Sequence, residues 1–203
     1  MRKTNQSKTG KKKNNVVVPI FLIAIIAVVL VLYYVLANQD PAGQEEEIVV
    51  STPVSDVLLR NLDTDYPPTP KEVIIYYSEL IQCFYNEEYT EEDLIKLADK
   101  ARLLYDDELL AENKEEEYLF DLKEDISTFE KGDIEISSFA TSASVDVEYD
   151  TMDGFEWARL NCVYSVRQST TRTAINHVYL LRKDENSHWR IYGWKFADDG
   201  TNE

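Results

Sequence analysis

The residue best equipped for chemistry is His177, whose imidazole titrates near working pH and could serve as a general base in an apolar setting. The stretch "VYLLRKDENSHWRIYGWKF", Val178 to Phe196, reads as two alternating strands joined by the polar turn Asp184-Glu185-Asn186-Ser187. That turn pairs Leu181 with Arg190, Tyr179 with Tyr192, His177 with Trp194 and Ile175 with Phe196. His177 then shares a face with Tyr179, Tyr192 and Trp194. A preceding turn centred between Ser169 and Thr173 sets Tyr164 opposite it and Cys162 diagonal. Tyr164, His177, Tyr179, Tyr192 and Trp194 are therefore the candidate lining of a small-ligand pocket. Asp146 could orient the ring, but its parity is opposite to that of the apolar Val145 and Val147. A histidine among aromatics is more commonly a packed core or rim residue than a base, so no catalytic residue is assigned.

Other chemistry is poorly supported. Six scattered glycines make neither a phosphate loop nor a dinucleotide fingerprint. Two histidines, with no C-x-x-C, H-x-x-x-H or H-E-x-x-H, are too few for most zinc sites. Asp63-Thr-Asp65 starts like a calcium loop but lacks the later acids and glycine, so a polar turn explains it. No metal or cofactor is expected. Cys83 and Cys162 both fall in apolar patterns, which favours buried free thiols, although an exported domain would permit a disulfide between them.

The elements that must position these residues begin near Thr69. Thr69, Pro70 and Glu72 form a T-x-x-E start, followed by Val73, Tyr77, Leu80, Ile81 and Phe84 at helical spacing. Thr90 caps a second helix bearing Leu94, Leu97, Ala98, Ala101 and Leu104. "DDELLAEN" reads as a short turn. A third helix runs from about Lys114 to Lys131, carrying Tyr118, Leu122, Ile126 and Phe129, and Gly132 stops it. The period then changes to two over four strands: Ile134–Tyr149, Phe155–Arg167, Thr173–Lys183 and His188–Phe196. Asp153-Gly154 is a strong turn signal, and a bend is expected within "SSFATSAS". Helices followed by an antiparallel meander give an α+β domain. Its second face, with Ala174, Val178, Leu180, Trp189 and Ile191, reads as apolar enough for a homodimer through the sheet or for cover by the preceding segment.

Before this domain lie 22 consecutive uncharged residues, Val16 to Ala37. At about 1.5 Å per residue they reach roughly 33 Å, the thickness of a bilayer core. The stretch is too long for a signal-peptide core of about 7–15 residues, though Val35-Leu36-Ala37 leaves cleavage open. Arg2, Lys3, Lys8, Lys11, Lys12 and Lys13 precede the span with no acid, so the N-terminus is expected inside and the rest outside. The part beyond the span holds 15 Lys and Arg against 38 acids, a balance of −23, which repels nucleic acid and favours solubility. All six prolines lie at or before Pro70. The expected organisation is a basic cytoplasmic tail over 1–15, a transmembrane signal anchor over 16–37, an acidic tether over 38–69, a domain over 70–197 and a disordered tail over 198–203. Within the tether, "VSDVLLRNL" is expected to form a helical turn that docks on the domain.

Three helices followed by a sheet that ends in "LLRKDENSHWRIYGWKF" resemble the NTF2-like superfamily, shared with ketosteroid isomerase and SnoaL-like polyketide cyclases. "HWRIYGW" is similar to its closing strand, and "IQCFYNEEYTEEDL" to its first helix and the loop after it. The resemblance covers about Pro70 to Phe196. It implies a cone of three helices packed on a curved four-stranded antiparallel sheet. In the family's enzymes an Asp or His base sits inside the cone, the place His177 would take here. The layout with "NLDTDYPPTPKEV" before the domain is also similar to membrane-anchored proteins of unknown function from Gram-positive bacteria.

The expected function is that of a single-pass, non-enzymatic membrane protein whose extracytoplasmic domain binds a protein partner or small ligand at the cell envelope. Two other readings stay open. One is a scaffold subunit of a conjugation or type IV secretion machine, and the other an isomerase- or dehydratase-type enzyme using His177.

Overall fold

The computed structural model describes residues 51–197. The expected tail over 1–15, the span over 16–37 and the end over 198–203 lie outside the described residues. Among the described residues no helix is long and apolar enough to cross a membrane. The chain divides into two units, Met1–Val50 and Ser51–Glu203, and the second is the one considered below.

Its helices begin where capping chemistry dictates. Helix α1 (Pro53–Leu59) is capped reciprocally by Thr52 and Ser55. It buries Val54 and Val57, and the Tyr76 hydroxyl donates to the Val57 carbonyl at 2.7 Å. Residues 51–69 of the expected tether are thus part of the packed unit. In α2 (Pro70–Asn86) the Thr69 hydroxyl accepts from the Glu72 amide, and Glu72 answers the hydroxyl itself at 2.9 Å rather than the cap's backbone N–H. Helix α3 (Glu91–Arg102) has the reciprocal box, built by Thr90 and Asp93. The stretch read as a turn is a short helix, α4 (Asp107–Glu112), because the Asp106 carboxylate accepts from the Glu108 amide at its start. Helix α5 spans Glu115–Lys131.

Gly132 ends α5 with an ordinary φ of −85°, and the left-handed residue is Asp133, at φ 48°. Glycine is needed at 132 for room instead: a Cβ there would lie 2.9 Å from the Ile134 side chain and 3.2 Å from the Thr128 carbonyl.

The sheet has five antiparallel strands, not four, with helices packed against it. The long first strand breaks, as its bend signal suggested, into β1 (Ile134–Thr141), a 3-10 turn (Ser144–Asp146) and β2 (Glu148–Met152). Both pieces pair with β3 (Phe155–Gln168), β1 along its second half and β2 along its first. Asp153 and Gly154 turn the β2–β3 hairpin with φ of 53° and 83°, as an Asp-Gly turn requires. Strands β4 (Thr171–Lys183) and β5 (Trp189–Phe196) complete the order β1-β3-β4-β5.

The last hairpin differs from its sequence reading in two places. Its loop is one residue longer, so Lys183 pairs with Trp189 and Leu181 with Ile191. A bulge then slips the register again, so Tyr179 pairs with Trp194 and His177 with Phe196. The first slip carries Trp189 and Ile191 to the helix side, where both join the core. The second face is correspondingly less apolar: Val178 and Leu180 remain there, flanked across the strands by Asn161, Arg159 and Lys195. Segment 53–62 packs on α2 and α3, not on that face.

The core lies between α2 and the inner face of the sheet, with Val73, Ile74 and Leu80 of α2 facing Leu160, Leu181 and Ile191. A short backbone ladder seals the edge beyond β5: Ile191 donates to Leu104 at 2.8 Å, and Asp106 donates to Ile191 at 2.9 Å.

Candidate functional site

Residues of α2, α5 and the inner faces of β3, β4 and β5 surround a cavity of about 480 Å³. The volume falls in the range of small-ligand sites. Four of the five residues grouped by sequence line it: Tyr164, His177, Tyr179 and Trp194. The two slips in the hairpin change their pairing and keep them together. Cys162 lies directly across from His177, and Tyr164 is the diagonal neighbour, the reverse of the expected arrangement, because the β3–β4 turn is tighter.

Tyr192 is elsewhere. The longer loop, which brings Ile191 inward, turns Tyr192 to the outer face, where its hydroxyl donates to Glu108 at 2.7 Å and its ring stands edge-on to Trp157. It belongs to a structural cluster around Arg182, whose guanidinium grips Asp106 (2.5 and 2.9 Å) and Glu108 (2.8 Å) and lies over the Phe155, Trp157 and Tyr192 rings.

The inner polar groups of the cavity are largely bonded to one another. The Tyr164 hydroxyl lies 2.8 Å from Ser78 Oγ and 2.9 Å from the Tyr179 hydroxyl. The Tyr77 and Tyr105 hydroxyls lie 2.9 Å apart. Burial pushes all four phenols well up from their ordinary value, so they remain protonated. Here hydroxyls serve to close a polar chain inside an apolar wall, as buried tyrosines must.

His177 contrasts with them. Its ring packs edge-on against Tyr164, Tyr179 and Phe196, at centroid distances of 5.4, 6.0 and 5.0 Å. Its Nδ1 is buried without a hydrogen-bond partner. Burial lowers the imidazole pKa, keeping the ring neutral. No carboxylate among the described residues orients it: Asp146 sits on the exposed 3-10 turn. Both cysteines are free and buried. Cys162 lies near Ser78 (3.6 Å) rather than bonding the imidazole, and burial raises its pKa, which suppresses the thiolate a nucleophile needs. Burial likewise pushes the Cys83 thiol up to about 12.

Sequence reasoning missed the α5 wall. Tyr118, Asp121, Leu122, Asp125 and Phe129 all line the cavity. Their spacing of three and four residues was a readable signal, one helix stripe with two acids set into it. Asp125 has its pKa raised by burial and by its acidic neighbours Asp121 and Glu124. At the rim Trp194 and Phe196 are left 43% and 69% exposed. A larger groove of about 810 Å³ runs beside α1 and α2, but its guanidinium, Arg60, is already paired with Asp65 at 3.2 Å.

The cavity can therefore enclose an apolar body, and its side chains form neither an acid–base pair nor an activated nucleophile. No curated protein matches the sequence. The model of one family, described as a domain of unknown function (DUF6715), matches residues 1–194, and the chain belongs to that family.

Proposed function

We propose that this protein is a single-pass membrane protein whose outward-facing domain binds an apolar small molecule and does not transform it. The cavity between α5 and the sheet carries this reading: about 480 Å³ of mainly aromatic wall, its inner hydroxyls bonded to one another. The isomerase-type alternative draws less support, because no carboxylate among the described residues orients the His177 ring. The membrane anchor rests on the uncharged stretch over 16–37 and the basic residues before it. Helices covering one face of an antiparallel sheet, with a cavity between them, support an NTF2-like cone as the finer description of the fold.

The test uses the unit 51–203 and the neutral fluorophore N-phenyl-1-naphthylamine. Fluorescence should rise saturably on mixing, and Ile175→Trp, which fills the cavity from β4, should abolish the rise while leaving the circular dichroism unchanged. Equal signals from both proteins would sink the reading.

A further inference from the structure

Which apolar molecule fits is a question of charge at the rim. Among the residues lining the cavity, Asp121 and Asp125 carry the only formal charges, and no Lys or Arg is present. They stand four residues apart on α5, so both carboxylates fall on one side of the opening. Some surface acids are paired, as Glu91 is with Lys123, Glu135 with Arg167 and Glu156 with Lys183, but Asp121 and Asp125 belong to the larger number with no ion-pair partner among the described residues. The same lining carries the partly exposed rings of Trp194 and Phe196, whose π faces also attract a cation. The tyrosine hydroxyls are bonded to one another, and His177 is neutral, so neither supplies a formal charge to the ligand.

We infer that the ligand is a cationic amphiphile, an amine with an aromatic or aliphatic body, its body filling the aromatic interior and its ammonium held at the rim between Asp121, Asp125 and the Trp194 and Phe196 rings. An anionic head is repelled by the same two carboxylates. This inference rests on the small-molecule reading above and adds the ligand's charge and its orientation.

Three probes of one shape separate the cases: 4-phenylbutylamine, 4-phenylbutan-1-ol and 4-phenylbutyrate. The full chain is held in phosphatidylcholine nanodiscs, with empty discs as the blank, and Trp fluorescence and calorimetry read binding. The amine should bind about tenfold more tightly than the alcohol, the sum of one exposed ion pair and one cation–π contact. The carboxylate should bind most weakly. The double variant Asp121→Asn with Asp125→Asn should bring the amine down to the alcohol's affinity and leave the alcohol where it was. Alcohol binding that equals or exceeds amine binding in the unaltered chain overturns the inference while sparing the cavity. If none of the three binds, both readings fall. A double variant that loses alcohol binding too also counts against the inference, since the acids would then be shaping the wall rather than selecting charge.

Discussion

His177 illustrates how one side chain couples the cavity to stability. Burial holds its folded pKa below the ordinary value of 6.5, so between the two values the unfolded chain binds the proton and the folded one does not. Stability therefore rises with pH through that window and falls as pH drops below about 6.5. Urea midpoints measured from pH 7.5 down to pH 5 should decline, and His177→Gln should flatten that limb relative to the unaltered chain. Parallel curves for the two proteins would show that the imidazole is not desolvated. The unpartnered Nδ1 has the same origin: β4 places the ring among Tyr164, Tyr179 and Phe196, none of which offers it a hydrogen.

Between elements, Arg182 does the most with one group. It ties β4 to the start of α4 through Asp106, which is only 5% exposed and also caps that helix. Removing the guanidinium strands a nearly buried carboxylate, so Arg182→Ala should cost about 3 kcal/mol in urea unfolding. Arg182→Lys should recover only part of that, since an ammonium cannot bond both oxygens in parallel. A loss under 0.5 kcal/mol would mean the pair is solvated in solution. This cluster was not legible in the sequence, and the reason is instructive. Helix starts could be read from Thr69 and Thr90, because capping is local chemistry. The pairing of β4 with β5 could not, because it depends on a loop one residue longer than its polar residues suggested and on a bulge between Leu180 and Leu181. Gly193 inside β5 was the available hint of the bulge. Tyr192 was misplaced through the longer loop, whereas Trp194 kept its face because the bulge restores parity. The acids of α5 are legible as spacing, but only the packing of α5 against the sheet shows that this spacing faces the cavity.

At the scale of the whole unit, helices come first in the chain and the closing strand last, and the two ends meet. Tyr66, before the first long helix, donates to the Trp189 carbonyl at 2.8 Å and stacks on His188. Ile191, on the last strand, is fully buried and bonded to the backbone on either side of Tyr105. A unit ending at Ser187 lacks Trp189, Ile191 and Trp194, and should lose cooperative thermal unfolding by near-UV circular dichroism. Retention of a sharp transition would show that β5 is an accessory rather than a closing strand.

The ladder between Ile191 and the Leu104–Asp106 segment also sets a clock. Val73 and Ile74 leave the ribosome more than a hundred residues before Ile191, an interval on the order of ten seconds at ordinary elongation rates. As it lengthens the nascent chain presents uncovered tyrosines and the Cys83 thiol, then Cys162 and, only in the last moments, an unpaired β4 edge. Chaperones have that interval in which to engage it, and the release of β5 from the ribosome ends it.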